Sequence, residues 1–426
     1  MKILILGSGG REHAMAWQIH NRSKGTDEVF IAPGNPGTAQ CGTNVDIKVT
    51  DFAAQGKFCL EQGIDMVIAG PEEPLVKGAW DYFTSNEALQ HIRFIGPSQN
   101  GAQLEGSKSF AKDFMQRHHI PTAAYNEFTN ENFEEGVQYL QNHALPVVLK
   151  ADGLAAGKGV IICESREEAI ANFGEMLQQA KFGEAGKKVV VEEFLSGIEM
   201  SVFILTDGKE YVELPSAKDY KRIGEKDTGL NTGGMGAVSP VPFANEEFMA
   251  KVRERIIKPT VSGLHNEGIN YTGFVFIGLI KVNEEPYVIE YNCRMGDPET
   301  EVVMPRLKTN LATLCKAAAE NKLSEAKIEI DNRTSVTVVA VSGGYPGSFE
   351  KGYKIKFPET IGNDSIIFQA GTKLAGNEIV TAGGRVLCVT SFADTVKDAV
   401  AKSKEGLNKI DFDDMYYRHD IGYEFC

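Results

Sequence analysis

Three polar side chains alternate with other residues near the end of an apolar run, in the segment YVIEYNCRMGDPE. Alternate residues of a strand share a face, so Glu290, Asn292 and Arg294 are expected to point the same way. A carboxylate and an amide oxygen suit a hard cation such as Mg²⁺, which phosphate oxygens and water normally complete. The adjacent arginine can hold a carboxylate or a phosphate through two parallel hydrogen bonds. The segment therefore indicates a metal and phosphate site, although an exposed strand end held by salt bridges would contain the same residues.

A glycine-rich stretch, KADGLAAGKGV, covers residues 150–160. It differs from the P-loop because three residues, rather than four, separate Gly153 from the Gly157-Lys158 pair, and a glycine follows the lysine. The next residues, VIIC, are typical of a strand, so the stretch is predicted to join two strands and to cover a polyphosphate as a flap. Lys150 would then reach the phosphates as a point charge. A plain glycine-rich turn is the alternative.

Acidic residues and further glycines accompany this stretch. The segment VVVEEFLSGIEMS places Glu192, Glu193 and Glu199 between two strands, which indicates either polar contacts to a ligand or an acidic surface patch. Two long glycine-rich loops also occur, KDTGLNTGGMGAVSP at residues 226–240 and PGNPGT at residues 33–38. Because such loops inside a compact domain are usually functional, we expect both of them to contact a ligand.

The first strand ends in GSGGREHA, which places Gly9 and Gly10 at a strand-to-helix turn. Backbone N–H groups and the helix dipole favour a phosphate at such a turn. A dinucleotide fingerprint is rejected, because Glu12 stands where the third glycine is expected and the second strand ends without a ribose-binding acid. His13 is close enough to the turn for acid–base chemistry, but a capping or packing role fits equally well.

The elements that position these residues follow from the hydrophobic pattern. Over residues 1–100, short apolar runs that end in glycine or proline alternate with helical patterns, which predicts a parallel α/β sheet with ligands at the carboxyl ends of its strands. A linking helix up to Pro121, two α+β units and a strand-rich cap are predicted to follow. We divide the chain into domains at residues 1–105, 121–195, 106–120 together with 196–327, and 328–426.

Composition excludes several classes of protein. The chain of 426 residues is 42% hydrophobic and 24% charged, as expected of a globular protein, and its net charge of −14 shows no basic footprint for a nucleic acid. No apolar run is long enough to span a bilayer, and MKILILGSGG breaks into a loop where a signal peptide would continue, so we expect no membrane partner and a cytoplasmic location. Seven scattered cysteines without a C-x-x-C pair argue against zinc and disulfides.

The order of the motifs LEGSK, KADGLAAGKGV, VVVEEFL, NTGGMGAVSP and IEYNCRMGDPE resembles the ATP-grasp ligases and, within them, the phosphoribosylamine–glycine ligase family. The resemblance covers essentially the whole chain, from GSGGREHA and APGNPGT to AGTKL, GGRVLCV and RHDIGYE. NTGGMGA together with RMGDPE is specific to that family, whereas the flap is shared more widely. One departure is Leu230, where the family usually has proline; it frees one backbone dihedral and removes no reactive group. The length resembles the monofunctional form, without fused pathway enzymes.

The resemblance implies a multidomain α/β and α+β fold. It comprises an N-terminal parallel α/β substrate domain, a small ATP-grasp flap subdomain, a central ATP-grasp domain and a small strand-rich C-terminal cap. The implied reaction joins glycine to 5-phosphoribosylamine through glycyl phosphate and gives glycinamide ribonucleotide, ADP and phosphate, in the second step of de novo purine biosynthesis. ATP is the implied co-substrate, with Mg²⁺ or Mn²⁺. The expected partners are these small molecules, and we expect a monomer with transient contacts to neighbouring pathway enzymes.

The resemblance also assigns nucleotide-binding residues. Lys108 and Lys150 would contact the phosphates, the flap would cover them, the backbone of residues 192–195 would read adenine, and Glu199 would accept from the ribose hydroxyls. The metal would lie on Glu290 and Asn292. The full nucleotide set is Lys108, Lys150, Gly153, Ala155, Ala156, Gly157, Lys158, Gly159, Glu192, Glu193, Phe194, Leu195 and Glu199.

For the substrates, the resemblance implies that Arg294 holds the glycine carboxylate, while Asp219 and Asp297 bind the ammonium group or order the loop. The catalytic set is Arg294, Lys150, Asp219 and Asp297. No covalent protein nucleophile is expected, because the substrate carboxylate itself attacks. The substrate set is Gly9, Gly10, Gly34, Asn35, Pro36, Gly37, Glu72, Asn231, Thr232, Gly233, Gly234, Met235, Gly236, Arg294, Asp297 and Pro298. Two rivals stay open: another ATP-grasp enzyme, such as a carboxylase or a formate-using transformylase, and a nucleotide-binding protein without turnover.

Overall fold

The N-terminal part of the protein alternates strands and helices as predicted. The computed structural model describes residues 1–153, 159–178 and 187–426, so the predicted flap residues Ala155, Ala156, Gly157 and Lys158 lie outside the described residues. The first elements are β1 (Lys2–Gly7), α1 (Gly10–Ser23), β2 (Glu28–Pro33), β3 (Thr43–Asn44), α2 (Phe52–Gln62), β4 (Met66–Ala69), α3 (Glu72–Val76), α4 (Ala79–Ser85) and β5 (Arg93–Pro97).

Strands β3, β2, β1, β4 and β5 lie side by side in that order, and all of their pairings are parallel. Residues 3–6 of β1 are fully buried, as expected of a parallel strand that is covered on both faces. Helices α1 and α3 begin shortly after β1 and β4, so their first turns lie at the carboxyl edge of the sheet. The predicted parallel α/β sheet is confirmed.

The next segment forms a small unit with its own core. Helices α5 (Gln103–Gly106) and α6 (Lys108–Arg117) precede it and pack with the N-terminal sheet. The elements of the small unit are β6 (Tyr125–Thr129), α7 (Phe133–Asn142), β7 (Val147–Ala151), β8 (Val160–Cys163), α8 (Arg166–Gln178) and β9 (Lys188–Glu193). Strands β6, β9, β7 and β8 form an antiparallel sheet in that order. Phe128, Leu149 and Phe173 pack together in its core. Because β7 pairs with β8, the glycine-rich stretch connects two paired strands, as the sequence predicts.

The central part extends the N-terminal sheet with antiparallel strands. Its elements are β10 (Ile198–Thr206), β11 (Tyr211–Glu213), β12 (Lys218–Asp219), β13 (Arg222–Gly224), β14 (Thr228–Asn231), β15 (Gly236–Ser239), α9 (Glu246–Val252), α10 (Lys258–Asn266), β16 (Tyr271–Val282), β17 (Glu285–Asn292), α11 (Thr300–Arg306) and α12 (Leu311–Ala319); a π-helical turn, Arg253–Ile257, connects α9 to α10. The start of β16 pairs with β5, and its remainder pairs with β10 and β17. The result is a continuous nine-stranded sheet.

The C-terminal part is rich in strands, as predicted, and a helix follows the last of them. It contains β18 (Thr334–Val341), β19 (Ser365–Gln369), β20 (Thr372–Ala375), β21 (Glu378–Thr381), β22 (Arg385–Ala393) and α13 (Val396–Leu407). The sheet order is β12, β15, β18, β22 and β19, so two central strands belong to the C-terminal sheet. The pairings of β5 with β16 and of β15 with β18 join segments that the sequence assigns to different domains. The domain boundaries themselves stay a prediction.

The nine-stranded sheet separates two apolar cores. Ile3 and Ile5 of β1 pack on one side, with α1, α11 and the C-terminal sheet, whereas Leu4 and Leu6 pack on the other side, with α6, α9 and α10. This alternation is the two-residue period of a strand. Both layers support the carboxyl edge of the sheet, where the predicted site residues gather. Among the described helices, none combines the length and the apolar character needed to cross a membrane.

Candidate active site

A cleft of about 860 Å³ lies between the small sheet and the large sheet. Predicted site residues that line it are Glu72, Lys108, Lys150, Gly153, Gly159, Glu192, Asp219, Thr232, Gly233, Glu290, Asn292, Arg294 and Asp297. Residues that the sequence did not single out also line it: Arg11, Glu105, Lys112, Lys221, Glu299 and Arg385. The other described residues of the predicted set lie outside this lining: Gly9, Gly10, Gly34, Asn35, Pro36, Gly37, Glu193, Phe194, Leu195, Glu199, Asn231, Gly234, Met235, Gly236 and Pro298.

Glu290 and Asn292 face the cleft from β17. The pairing with β16 is irregular here: Gly278 is opposite Glu290 but Leu279 is opposite Val288, so Ile289 is an extra residue in β17. A glycine at 278 leaves room for Glu290, because a Cβ there would lie 3.2 Å from Glu290 Cγ. The side-chain nitrogen of Asn292 is buried without a hydrogen-bond partner among the described residues.

The oxygens of Glu290 and Asn292 fit a divalent cation. Both are hard ligands on one face of a strand, and two protein ligands leave positions for phosphate oxygens and water. Within the described residues, no group of three or more His, Cys, Asp or Glu side chains is arranged to hold a metal. Because two protein ligands leave most positions of a cation open, the fit favours a cation that is bound together with a nucleotide.

Lys150, at the end of β7, is buried beside Glu192 of β9. Its Nζ lies 2.9 Å from Glu192 Oε2 and donates to the backbone oxygen of Ile289 at 3.2 Å. Lys112 approaches the other Glu192 oxygen at 3.2 Å, and burial lowers the pKa of Lys112 to about 8. Since one carboxylate faces two ammonium groups, the cluster favours an anionic ligand such as a polyphosphate.

Lys108 is held where helix α6 meets the end of β7. Its Nζ donates to the backbone oxygen of Gly153 at 3.0 Å, and burial lowers its pKa. Asp152, next to Gly153, accepts hydrogen bonds from the Ser109 N–H and the Ser107 hydroxyl, both at 3.1 Å. These contacts fix the first residues after β7 to the start of α6. A free N–H group of the first helical turn binds the Asp152 carboxylate there.

Arg294 is anchored by carboxylates of the protein. Its Nη2 lies 2.8 Å from Glu105 Oε1 and donates to Asn292 Oδ1 at 3.1 Å, while Nε lies 3.5 Å from Glu72 Oε2. Burial lowers the pKa of Arg294, but Glu105 and Glu72 outweigh it and the pKa is raised overall. Nε is buried without a hydrogen-bond partner among the described residues, whereas the side chain as a whole is partly exposed and lines the cleft, so a ligand can reach part of the guanidinium group.

Asp297 is held by two arginines from opposite ends of the chain. Its Oδ1 lies 3.0 Å from Arg385 Nη2, and its Oδ2 accepts from the Arg11 N–H at 3.4 Å. Arg385 Nη1 also donates to the backbone oxygens of Gly233 at 2.6 Å and of Asp297 at 2.8 Å. The Gly233 N–H donates to the Tyr345 hydroxyl at 2.9 Å. Of the two roles predicted for Asp297, these contacts favour loop ordering.

Asp219 lies in an acidic group around Lys221. Lys221 Nζ lies 2.9 Å from Glu199 Oε2 and 3.5 Å from Asp219 Oδ1. Glu299 is buried, accepts from the Ser201 hydroxyl at 3.1 Å, and has its pKa raised to about 7 by burial and then by Asp219. Three carboxylates around one lysine leave surplus negative charge, which favours a cationic group such as a substrate ammonium.

The glycines at the start of α1 make room for Glu12. A Cβ at Gly7, Gly9 or Gly70 would collide with or crowd the Glu12 carboxylate, which accepts the Gly9 N–H at 2.6 Å. Arg11 Nε lies 2.7 Å from the same carboxylate. The Glu12 carboxylate therefore already binds the Gly9 N–H of this turn. The binding of a substrate phosphate by Gly9 and Gly10 stays a prediction.

The PGNPGT loop is tied to the C-terminal part by Asn35. Its Oδ1 accepts from the Gly37 N–H at 2.7 Å, and its Nδ2 donates to the backbone oxygens of Ser8 at 2.8 Å and Gln369 at 2.9 Å. His13 is also tied there, because its Nδ1 accepts the Gln369 N–H at 2.8 Å and burial lowers its pKa to about 4. Of the two roles open for His13, the packing role fits these contacts.

The segment predicted to read adenine continues from β9. The Glu193 backbone N–H donates to the Ala124 oxygen at 3.0 Å, and the Ala124 N–H donates to Glu193 Oε1 at 2.9 Å. Phe194 is 39% exposed. Leu230, the departure from the family pattern, is also exposed, in β14.

The residues that sequence reasoning missed carried weak local signals. Lys112 lies one helical turn after Lys108 on α6, and Lys221 follows Asp219 by two residues. Arg11 directly follows the Gly9-Gly10 pair. Arg385 lies in GGRVLCV, one of the segments that carry the family resemblance, but it belongs to a different sheet and reaches the cleft only through the fold.

Comparison with known domain families and proteins agrees with this arrangement. Three descriptions match in order: phosphoribosylglycinamide synthetase N domain at residues 1–105, its ATP-grasp (A) domain at 106–300, and its C domain at 335–424. The chain is 48% identical over 428 aligned positions to the phosphoribosylamine–glycine ligase of Escherichia coli O157:H7, covering 99% of this chain and 98% of that protein. The counterpart of Vibrio cholerae serotype O1 is 45% identical, with the same shares covered.

Solved structures give the same result. The crystal structure of phosphoribosylamine–glycine ligase from Thermotoga maritima superimposes with a TM-score of 0.84 at 34% identity, covering 99% of this chain and all of that one. A biotin carboxylase domain of 2-oxoglutarate carboxylase from Hydrogenobacter thermophilus, in complex with MgADP and bicarbonate, has a TM-score of 0.72 at 17% identity over 97% of this chain and 91% of that one, a likeness of fold alone. The fold, the order of its domains and the identity over nearly the full length together show that this chain belongs to the phosphoribosylglycinamide synthetase family.

Proposed function

We propose that this protein is an ATP-dependent carbon–nitrogen ligase that joins glycine to 5-phosphoribosylamine through glycyl phosphate. The products are glycinamide ribonucleotide, ADP and phosphate. One observation carries the proposal: a single cleft, in a chain of this family, brings together the lysine pair Lys108 and Lys150, the oxygen pair Glu290 and Asn292, and Arg294. Acyl phosphate formation needs these three elements, which are a polyphosphate site, a cation site and a carboxylate site.

At the nucleotide end, Lys108 and Lys150 would hold the phosphates as point charges. Lys150 is oriented by Glu192 at 2.9 Å, so its ammonium group is fixed before ATP arrives. The flap stretch, Gly153 to Gly159, would cover the phosphates and exclude water. The backbone of residues 192–195 would read adenine, and Glu199 would accept from the ribose.

Glu290 and Asn292 would hold Mg²⁺ or Mn²⁺ between the protein and the phosphates. A cation bound there neutralises the charge that develops on the transferred phosphoryl group. The two-residue period of β17 places the two ligands on one strand face, and their register with β16 is regular from Glu290 to Asn292. The choice between the two metals stays open to experiment.

At the glycine end, the partly exposed side chain of Arg294 would bind the substrate carboxylate, and the acidic group around Asp219 would bind its ammonium. The resemblance predicts that the 231–236 loop supplies N–H groups to the reacting carboxylate, but the N–H groups of Thr232, Gly233, Gly234 and Met235 already donate to acceptors of the protein. We therefore propose that the loop shapes the wall of the glycine site. The substrate carboxylate is its own nucleophile, so the protein contributes position and charge, and positioning can be worth ~7–11 kcal/mol. Glycyl phosphate reacts readily with water, which is why a covered cleft is needed.

Phosphoribosylamine would approach from the N-terminal domain. We propose that its ribose or phosphate contacts Gly9, Gly10, the 34–37 loop and Glu72. Arg11, which lines the cleft, would add a positive charge on that side. Small-molecule substrates alone are proposed as partners. A monomeric state, contacts with neighbouring pathway enzymes and a cytoplasmic location stay predictions of the sequence.

The direct test measures ADP release with ATP and Mg²⁺. Glycine and freshly made phosphoribosylamine are added singly and together, and bicarbonate or formate replaces glycine in parallel reactions. We expect rapid ADP release only when both substrates are present. ADP release that is stimulated by bicarbonate or formate would indicate a carboxylase or a transformylase instead. ATP binding without stimulated turnover would indicate a nucleotide-binding protein that is not an enzyme.

A further inference from the structure

A β-hairpin connects two stretches that line the cleft. Strands β13 and β14 pair from Arg222 opposite Asn231 to Gly224 opposite Thr228. The residues just before and after the hairpin, Lys221 and Thr232, both line the cleft, and the Thr232 N–H donates to the Lys221 oxygen at 2.7 Å. A shift of the hairpin would therefore displace the glycine-rich loop that follows it.

The turn of this hairpin is strained. Lys226 and Asp227 are consecutive non-glycine residues in the left-handed region, with φ of 53° and 54°. Residues in this region persist only where the surrounding structure holds them there. The turn is largely exposed, so the restraint has to come from specific contacts rather than from packing.

Arg418, in the C-terminal RHDIGYE motif, supplies those contacts. It is fully buried, at 0% exposure. Its Nη1 lies 2.7 Å from Asp227 Oδ1 and donates to the Arg222 oxygen at 3.1 Å, so it binds both the turn and β13. Its Nε and Nη2 bind the two oxygens of Asp420 at 2.8 and 2.9 Å, a parallel bidentate pair that fixes the plane of the guanidinium group.

Other residues of the C-terminal segment bind the same hairpin. Asp420 Oδ2 accepts the Lys226 N–H at 2.6 Å, which satisfies the backbone inside the strained turn. The Tyr423 hydroxyl donates to Asp227 Oδ2 at 3.2 Å, and the Tyr416 hydroxyl donates to the Ile223 oxygen at 2.9 Å. The C-terminal segment thus holds β13 and the turn of the hairpin.

We propose that Arg418, together with Asp420, is a positioning residue for substrate glycine: it fixes the 222–231 hairpin and thereby the 231–236 loop at the cleft. This inference rests on the proposed ligase function. Within the described part of the chain, Arg418 contacts none of the residues that we place against ATP phosphates, so its effect should fall on the glycine side of the site. Without the guanidinium group, Asp227 and Asp420 would face each other without the cation that separates them, and the turn would lose its restraint.

The test compares steady-state kinetics of Arg418→Gln with those of the unaltered enzyme. We expect the KM for glycine to rise about tenfold or more, because small misplacements of positioning groups have effects of this order. The KM for ATP should change much less. Arg418→Lys keeps a charge without the fork and should give an intermediate KM for glycine. Hydrogen exchange should accelerate at residues 222–231 in both variants.

Arg333→Gln is the matched control, because Arg333 is an exposed, ion-paired arginine of the same C-terminal part that lies away from the cleft. It should leave both KM values unchanged. If Arg418→Gln does not fold, Asp227→Asn replaces it, since this change weakens the same ion pair at a partly exposed position.

The outcomes separate the inference from the function on which it rests. If the unaltered enzyme fails to release ADP with glycine and phosphoribosylamine, the proposed function fails. If it is active, but the folded variants keep the glycine KM of the unaltered enzyme or raise both KM values equally, the positioning role is overturned. A loss of stability alone, with unchanged KM values in the folded fraction, would also overturn it and leave Arg418 a purely structural residue.

Discussion

Arg385 Nη2 lies 3.0 Å from Asp297 Oδ1, so a side chain of the C-terminal sheet holds a carboxylate at the rim of the cleft. The same guanidinium group binds the backbone oxygens of Asp297 and Gly233. One residue therefore joins the two loops on which the proposed glycine site depends. The C-terminal domain, which contributes none of the predicted phosphate or metal ligands, therefore still helps to hold the loops of the cleft.

Replacing Arg385 should impair the glycine half of the reaction. In Arg385→Gln the two loops lose their common partner, and we expect kcat/KM for glycine to fall by roughly 10²-fold, the scale reported for a displaced positioning group. ADP release at varied glycine measures this. Arg333→Gln again serves as the exposed control from the same sheet region, and an unchanged kcat/KM in Arg385→Gln would refute the joining role.

Glu290→Ala should abolish turnover and spare the fold. The side chain is exposed at the cleft, so its loss removes a proposed cation ligand without opening a cavity in the core. Thermal unfolding and ADP release measure the two effects. Glu285→Ala is the control from the same strand, since Glu285 pairs only with surface cations, Lys251 and Arg255, in the described structure. A Glu290→Ala variant with most of its activity would remove the metal assignment.

Arg294→Lys should raise the glycine requirement strongly. Arg294 holds Glu105 at 2.8 Å, and its partly exposed side chain lines the cleft. A lysine ammonium cannot satisfy Glu105 and a substrate carboxylate in the same plane. The saturation curve for glycine reports the change, with the ATP curve as the internal reference. An identical glycine curve would count against a carboxylate contact at this position.

His13 should make stability depend on pH. Burial lowers its pKa to about 4 in the folded protein, against roughly 6.5 in an unfolded chain. Between these values the unfolded chain binds a proton that the folded protein does not. The contribution of His13 to the free energy of unfolding should therefore fall as pH decreases from 6.5 to 4, by about 3 kcal/mol at 1.36 kcal/mol per unit.

Urea unfolding at several pH values checks this dependence. His13→Gln keeps an acceptor for the Gln369 N–H but does not titrate, so its stability should vary less between pH 7 and 5. His20→Gln, an exposed histidine of the same helix, should follow the unaltered protein. Parallel curves for all three proteins would show that His13 does not stay neutral in the folded state.

The elements of this fold could be predicted where local pattern decides them. Apolar runs that end in glycine or proline, such as KILILG, became buried strands, and the two-residue period placed Glu290 and Asn292 on one face. The irregular pairing at Gly278 could not be predicted, because it depends on the register between two strands. The extra residue, Ile289, directly precedes Glu290 and therefore sets the position of Glu290 in the strand.

Contacts between distant segments escaped sequence reasoning. Glu105 binds Arg294 across 189 positions, and Arg385 binds Asp297 across 88. Neither partner changes the hydrophobic pattern of its own segment, so single-sequence reasoning has no signal for the pair. The GSGG turn shows a second reason: glycines that allow a phosphate to approach also allow an internal carboxylate such as Glu12 to approach.

The most direct test of the central claim follows oxygen from substrate glycine. The protein is supplied with ATP, Mg²⁺, phosphoribosylamine and glycine labelled with ¹⁸O in its carboxylate. If the carboxylate attacks the γ-phosphate and the amine then displaces phosphate, each phosphate released carries one glycine oxygen, and the product amide keeps the other. Labelled phosphate in step with product would be the predicted result. Unlabelled phosphate, with product still formed, would contradict glycyl phosphate as the intermediate.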